Sequence, residues 1–108
     1  MTRVAAIDCG TNSIRLLVAD GVLKDNAIAL SDLTRQMRIV RLGQGVDRTG
    51  RLAPEAIERT LTAVREYKRM IDNLEAEEIR FVATSAMRDA ENRDEFIEPV
   101  KEILGVYP

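Results

Sequence analysis

The sequence predicts an α/β fold with a mixed sheet and the element order β-β-β-α-β-α. Three observations support this prediction: two apolar segments joined by a short turn, a long amphipathic helix after Pro54, and a further apolar strand behind that helix. A strand–helix–strand connection places its two strands in parallel, whereas a tight hairpin makes its strands antiparallel. The sheet should therefore contain both arrangements.

The first three strands are predicted before residue 41. Residues 3–8 and 13–20 are dense in Val, Ile and Leu, and this near-continuous apolar character predicts that both faces are covered. Residues 21–26 should form the next turn. Residues 27–40 have polar interruptions and should form a third antiparallel strand near the sheet edge.

The segment of residues 41–50 contains three glycines within eight positions, Gly43, Gly45 and Gly50. This density predicts a loop with unusual backbone angles. Two interpretations stay open at this point. The loop either only connects two elements, or it also lines a ligand cleft.

A long helix is predicted from Pro54 to about Leu74, because proline is well tolerated at a first helical position. The opposite, charged face should be solvated, with a helical ion pair between Glu55 and Arg59. Apolar residues at three- and four-residue steps predict the buried stripe, which comprises Ile57, Leu61, Val64, Tyr67, Ile71 and Leu74.

Residues 79–84 should form a short buried strand. The final helix should begin with Asn92 as its cap and Glu95 three residues later, as in a capping box, and should end at Gly105. Pro99 removes one helical hydrogen bond at a cost of about 3 kcal/mol, which predicts a kink or a late restart. The residues that this helix should bury are Phe96, Val100, Ile103 and Leu104.

The composition restricts the chemistry. A chain of 108 residues with 45% apolar content makes one globular unit, too small for a closed cleft between two lobes. The net charge of −2 and the absence of a polybasic run argue against a nucleic acid polymer or a membrane as partner. With no histidine in the sequence, carboxylates are the remaining acid–base groups near neutral pH.

Cys9 is the single cysteine, which excludes an intramolecular disulfide and fits a reducing compartment. The N-terminus lacks the pattern of a signal peptide, and no apolar run approaches the length of a membrane span. We therefore expect a cytoplasmic protein.

The turn between the first two strands is the strongest candidate for a functional site. Asp8 ends the first strand, and Arg15 begins the second with a guanidinium suited to bidentate phosphate contact. Backbone N–H groups of a glycine-containing turn can approach and bind phosphate oxygens. The alternative is that the segment is only a turn. Its residues are Gly10, Thr11, Asn12 and Ser13.

A second candidate follows the fourth strand. Thr84 and Ser85 lead into a helix whose first free N–H groups could bind an anion, with Arg88 on the first turn. In the alternative interpretation Ser85 only caps the helix and Arg88 forms a surface ion pair.

The element order, with Asp8 at the end of the first strand, resembles the N-terminal lobe of the actin and sugar-kinase superfamily, an actin-like (ribonuclease H-like) ATPase fold. Four motifs narrow this resemblance. The segments DCGTNSIRLLV (8–18), RLGQGV (41–46), PEAIER (54–59) and ATSAMRDAENRDEF (83–96) are similar to the exopolyphosphatase and guanosine pentaphosphate phosphohydrolase family, and most to its actinobacterial members.

The resemblance implies an Mg²⁺-dependent hydrolase that acts on inorganic polyphosphate or guanosine pentaphosphate. It implies that Asp8 helps to place the divalent ion or its waters and that Arg88 contacts phosphate, with Thr84 and Ser85 in the same cleft. The positions that match the family's first phosphate-binding loop are Gly10, Thr11, Asn12, Ser13 and Arg15.

The family pattern continues beyond this sequence, into a catalytic glutamate and a second lobe with another phosphate loop. We therefore expect residues 1–108 to be one partial domain, the first lobe of a truncated catalytic domain, inactive alone. Its fourth strand should be an exposed edge through which the chain associates, and the whole protein should be a homo-oligomer, a dimer.

Two other functions remain open. The first is a kinase of the same superfamily, an ATP-binding enzyme for sugars or carboxylates, because such enzymes share the first phosphate loop. The second is a non-catalytic lobe that self-associates or binds nucleotides.

Overall fold

The computed structural model describes residues 2–25 and 27–107. The strands are β1 (Thr2–Cys9), β2 (Ser13–Lys24), β3 (Ala27–Ile39) and β4 (Glu78–Ala83). The helices are α1 (Val46–Thr49), α2 (Pro54–Asn73), α3 (Ser85–Arg88) and α4 (Asp94–Leu104). The predicted alternation of strands and helices is confirmed, with the short α1 inside the segment for which the sequence predicted only a loop.

The four strands form one mixed sheet in the order β3-β2-β1-β4. β1 pairs antiparallel with β2 and parallel with β4, and β2 pairs antiparallel with β3. β3 and β4 are therefore the edges of this sheet, which confirms the predicted place of the third strand. The parallel pairing follows from the connection through α2, which carries the chain across one face of the sheet and back.

The β2–β3 hairpin is longer than the sequence predicted. β2 continues through Gly21, which lies opposite Leu30, to Lys24. The predicted turn over residues 21–26 is therefore wrong for 21–24, because these residues keep cross-strand partners; Asp25, with φ of 53°, begins the turn, and Asn26 lies outside the described residues. The extended hairpin accompanies an elongated molecule, 51 × 24 × 21 Å.

The hydrophobic core lies on the face of the sheet that α2 and α4 cover. Side chains alternate between the two faces of a strand, so Met37 and Val82 lie on the opposite face, where they are 55% and 62% exposed. The expectation that both faces are covered is wrong for the described residues, because their two long helices share one side. The core residues of β1 and β2 are Ala5, Ile7, Cys9, Ile14, Leu16 and Val18.

β4 is only partly buried, contrary to the prediction of a buried strand. Phe81 is its one buried residue among those described, and it packs on Phe96 of α4 with ring centroids 6.2 Å apart. Val82 points to the uncovered face. An edge strand with one covered face buries about every second side chain. The apolar sequence of β4 is similar to that of a fully buried strand, although only one of its faces is covered.

The predicted stripe of α2 forms part of the core, with Ile57, Leu61, Val64, Tyr67 and Ile71 buried and Leu74 half-buried at the C-cap. The predicted ion pair between Glu55 and Arg59 is absent from the described residues. The Arg59 guanidinium instead donates to the Val40 carbonyl and the Gln44 side chain, which a helix-only pattern cannot foresee.

α4 begins one residue later than predicted, with Arg93 instead of Asn92 at the N-cap position. The prediction of Asn92 as a cap is wrong because its side chain is used elsewhere: Oδ1 accepts from the Leu52 N–H at 2.7 Å, and Nδ2 donates to the Leu52 carbonyl at 2.9 Å. The helix runs without interruption through Pro99, so the expected late restart is also wrong. It ends as predicted, at Gly105 with φ of 79°.

No helix in the described ranges is long and apolar enough to cross a lipid bilayer.

Candidate active site

The two candidate segments meet at one end of the sheet. β1 and β4 are parallel, with Asp8 beside Val82 and Cys9 beside Ala83 in the register. Directly beyond these pairs, the Thr84 N–H donates to the Cys9 carbonyl at 3.1 Å. The segment after β4 therefore begins next to the turn after β1, as expected for the carboxyl ends of neighbouring parallel strands.

The turn of residues 10–13 is closed by one backbone hydrogen bond, from the Gly10 N–H to the Ser13 carbonyl at 2.8 Å. Gly10 does not have a left-handed φ, and an added Cβ would lie 3.4 Å from the Ser13 carbonyl oxygen, an ordinary contact. The fold itself thus places little demand for glycine at this position. A close approach of an external group to the backbone is the remaining reason.

The start of the glycine-rich segment holds the turn from the side. The N–H groups of Val40 and Arg41 donate to the Asn12 carbonyl at 2.8 and 2.9 Å, and the Gly43 N–H donates to the Thr11 carbonyl at 2.9 Å. Residues 40–43 therefore do more than connect β3 to α1. They hold the turn in place, whereas the interpretation that this loop lines a ligand cleft stays a prediction.

These contacts orient the peptide groups of the turn. In a trans peptide the C=O and N–H bonds point in opposite directions, and the described chain has no cis peptide. Since the Thr11 and Asn12 carbonyls point towards the glycine-rich segment, the N–H groups of Asn12 and Ser13 point away from it. The N–H groups of Thr11 and Asn12 have no acceptor among the described residues. They are therefore available to an anion.

Two of the three charged candidate residues flank this turn, and the third lies in α3, which follows the segment beginning beside the turn. Asp8 and Arg15 are cross-strand neighbours on the uncovered face, and Arg88 ends α3. All three are exposed, and none takes part in an ion pair within the described ranges. The interpretation of Arg88 as part of a surface ion pair thus finds no support there. The Arg88 N–H donates to the Thr84 carbonyl, and the Arg88 carbonyl accepts from the Arg93 guanidinium, so its main chain is held in place.

Thr84 is half-buried, and its backbone is the link between the two segments. Ser85 begins α3, and its side chain lies outside the described part of the structure. A shallow cavity of about 490 Å³ adjoins the turn on the uncovered face, between Asp8, Arg15 and Met37. The candidate residues Asp8 and Arg15 thus border an open and partly apolar surface.

Cys9 is next to Asp8 in the chain but belongs to the core. It is 1% exposed, and burial, with a smaller contribution from the Asp8 charge, raises the pKa of its thiol to about 12. The thiol is therefore protonated at neutral pH, whereas a cysteine nucleophile reacts as the thiolate. Cys9 is excluded as a nucleophile on this ground.

The donor set for a metal ion is small. Within the described ranges no three carboxylate or thiol groups lie close enough together to hold an ion. Among the described residues of β1, the turn and the start of β2, Asp8 is the one exposed carboxylate. Mg²⁺ often binds through one or two carboxylates and completes its shell with water and substrate phosphate. A single carboxylate beside free N–H donors fits that mode and does not fit a closed protein cage.

The sequence predicted the turn, Arg15 and Arg88 as candidate residues and left the role of the glycine-rich segment open, but it did not indicate the hydrogen bonds of residues 40–43 and of Arg59. Their role depends on contacts between segments distant in the chain, which hydrophobic periodicity does not report. The three glycines, together with the left-handed Arg41 at φ of 52°, mark this segment as structurally unusual. The density of glycines in residues 41–50 was the one sign in the sequence that this segment has a structural role.

A mixed sheet with a carboxylate at the end of β1, followed by a turn with free N–H donors, is typical of α/β proteins that bind phosphate groups. The model of the Ppx/GppA phosphatase family matches residues 21–107, and the chain belongs to this family. Its fold is that of the N-terminal part of Ppx/GppA proteins, an actin-like fold, as the sequence predicted.

The chain is 56% identical to exopolyphosphatase 2 of Mycobacterium tuberculosis, over 97% of this chain and 33% of that protein. It is 42% identical to the Aquifex aeolicus member of the Ppx/GppA family, with a TM-score of 0.86 over 98% of this chain and 33% of the other. An exopolyphosphatase-like protein of known structure has a TM-score of 0.87 at 48% identity, over 99% of this chain and 32% of that one. The chain thus spans about a third of these relatives.

Proposed function

We propose that this chain is the N-terminal lobe of an Mg²⁺-dependent phosphatase that hydrolyses terminal phosphoanhydride bonds of inorganic polyphosphate or guanosine pentaphosphate. The observation that carries the proposal is the turn of residues 10–13, whose carbonyls are held on one side while the Thr11 and Asn12 N–H groups remain available. Membership of the Ppx/GppA phosphatase family and the relative named exopolyphosphatase 2 support this substrate class.

In this proposal the turn N–H groups and the arginines bind phosphate. Fixed N–H donors need no reorganisation when negative charge develops on phosphoryl oxygens, which makes them effective in phosphoryl transfer. Arg15 and Arg88 would add charge-assisted hydrogen bonds. Thr84 and Ser85 would line the same cleft. The proposed phosphate-binding residues of the turn are Gly10, Thr11, Asn12 and Ser13.

Asp8 is the proposed residue for the metal ion, through water. Mg²⁺ bound there would neutralise charge on the phosphoryl oxygens. We further propose that residues 1–108 are one partial domain, and that the water-activating glutamate and the second phosphate loop belong to the rest of the protein. The chain alone should then bind phosphate weakly and not turn over. The whole protein should be cytoplasmic and a homo-oligomer.

The test is release of orthophosphate by the whole protein that carries this chain, with polyphosphate or guanosine pentaphosphate as substrate. Activity should require Mg²⁺ and disappear when a chelator removes it. ATP with a panel of sugars and carboxylates provides the comparison. Phosphorylation of one of those acceptors, without release from either proposed substrate, would overturn the phosphatase proposal in favour of a kinase.

Replacing Arg88 by Ala should lower kcat/KM about 10- to 100-fold, because it removes a charge-assisted hydrogen bond worth roughly 1.5–3 kcal/mol. Arg65→Ala is the matched control, since Arg65 is an exposed arginine that pairs only with Glu58 on its own helix among the described residues. Steady-state kinetics and thermal unfolding should be measured on both. Unchanged kinetics in Arg88→Ala would remove Arg88 from the site.

A further inference from the structure

Arg59 connects α2 to the glycine-rich segment by both arms of its guanidinium. Nε donates to the Val40 carbonyl at 3.0 Å, and Nη2 donates to the Gln44 Oε1 at 2.7 Å. Resting on the function proposed above, we infer that Arg59 is a positioning residue that fixes the phosphate-binding turn without touching the substrate. Its action would pass through residues 40–44.

The two acceptors of Arg59 bracket the part of the chain that holds the turn. Val40 accepts from Arg59 through its carbonyl and donates through its N–H to the Asn12 carbonyl at 2.8 Å. Gly43 lies between the two anchored residues and donates to the Thr11 carbonyl at 2.9 Å. The two carbonyls that set the direction of the Asn12 and Ser13 N–H groups are thus bound by the segment that Arg59 holds.

The segment needs such an anchor because its backbone is strained. Arg41, inside this segment, has φ of 52°, a left-handed conformation that residues with a Cβ disfavour. A planar guanidinium can donate to two acceptors at a fixed spacing, whereas a lysine ammonium is a single point of charge on a flexible stem. Arginine at position 59 therefore restrains both ends of the strained segment at once.

Arg59 contributes little to the core. Its side chain is exposed, while the neighbouring Thr60 and Leu61 are buried in the α2 interface. Loss of the guanidinium should therefore leave the fold intact and allow residues 40–44 to relax. The turn N–H groups would then lose their fixed direction, and phosphate affinity should fall more than stability.

The experiment measures binding of inorganic tripolyphosphate to the whole protein by calorimetry, with thermal unfolding alongside. Arg59→Ala should weaken binding at least about fivefold, the loss of a good hydrogen bond. Added guanidinium ion should restore much of this binding, and Arg59→Lys should bind more weakly than wild type. Gln44→Ala removes one acceptor without changing α2 and should also weaken binding. Arg65→Ala, the control on the same helix, should bind as wild type.

Wild-type affinity in Arg59→Ala would overturn the inference. If that variant does not fold, wild-type affinity in both Arg59→Lys and Gln44→Ala would overturn it instead. A loss of binding equal in Arg65→Ala would also contradict it, because any arginine of α2 would then act alike. A wild-type protein that binds tripolyphosphate but hydrolyses neither polyphosphate nor guanosine pentaphosphate overturns the proposed function alone, and one that binds no tripolyphosphate overturns both.

Discussion

Cys9 and Asp8 are neighbours in β1, but their side chains lie on opposite faces of the sheet. Asp8 is exposed on the open face, while the Cys9 side chain is 1% exposed in the core. A free cysteine beside a site carboxylate would suggest redox or nucleophilic chemistry from sequence alone. Burial removes that role by raising the pKa of the thiol to about 12.

The raised pKa of Cys9 predicts a loss of stability in alkali. In the unfolded chain the thiol ionises near its ordinary pKa of 9.0, whereas in the folded chain it stays protonated up to about 12. The unfolded state therefore binds fewer protons in this window, and stability falls as pH rises through it. Cys9→Ala should flatten the pH dependence of the urea midpoint above pH 9.0. An identical slope in variant and wild type would contradict the assigned pKa.

Cross-strand partners of the first hairpin could be predicted once its turn was placed. With Gly10 and Ser13 as the closing pair, the register puts Asp8 opposite Arg15 and Arg3 opposite Asp20, as observed. The Arg3 guanidinium bonds both carboxylate oxygens of Asp20 at 2.7 and 3.1 Å, and this holds the pKa of Asp20 below its ordinary value. In an antiparallel hairpin, the cross-strand partner of each residue follows from its distance along the chain to the closing pair.

At the level of secondary structure, helix α2 supports the candidate site. One face of this helix fills the core, and it also reaches the backbone on both sides of the turn, through Arg59 to Val40 and through Tyr67 to Ile14. The stripe was predictable from its period. These polar contacts were not, because their acceptors are backbone groups whose position depends on the complete fold.

Tyr67 should be measurably important for stability. Its ring is fully buried, and its hydroxyl donates to the Ile14 carbonyl at 2.8 Å. Tyr67→Phe keeps the ring but leaves this carbonyl without the donor, which should lower the free energy of unfolding by about 1–3 kcal/mol. Urea unfolding provides the measurement. Tyr107→Phe, at an exposed tyrosine, should change stability little, and an equal effect of the two substitutions would count against the assignment.

Pro99 offers a second test at the level of a helix. It lies inside the uninterrupted α4, where it lacks the N–H that would donate one turn back. Pro99→Ala should therefore raise stability by about 1–3 kcal/mol, with part of the gain offset by greater freedom of the unfolded chain. Pro54 is the control, because at the first position of α2 its missing N–H has no helical partner to lose. Thermal unfolding should show no comparable gain for Pro54→Ala.

The whole molecule is asymmetric, with one covered and one uncovered sheet face. Met37, Ile39 and Val82 are 55%, 61% and 62% exposed, and β4 forms an edge of the sheet. Apolar content and strand order were predictable, but coverage was not, because strands with a similar apolar content occur in sheets covered on one face or on both. The sequence therefore predicted the secondary-structure elements and their pairing more completely than the coverage of the sheet.

An uncovered apolar face beside an open edge predicts self-association of the 108-residue chain. Sedimentation velocity should show species larger than a monomer that increase with concentration. Val82→Lys places a charge on this face and should shift the distribution towards monomer, whereas Glu102→Lys, at an exposed position of α4, should leave it unchanged. A wild-type chain that stays monomeric at all concentrations would contradict this prediction.

The closing bond between Gly10 and Ser13 also limits how this protein can vary in length. Only Thr11 and Asn12 lie between the closing residues. An inserted or deleted residue that the turn does not absorb would displace the register by one position and turn either Asp8 or Arg15 from the open face into the core. The pairing of Asp8 with Arg15 therefore depends on the length of this turn, whereas a change of side chain at Thr11 or Asn12 leaves that pairing in place.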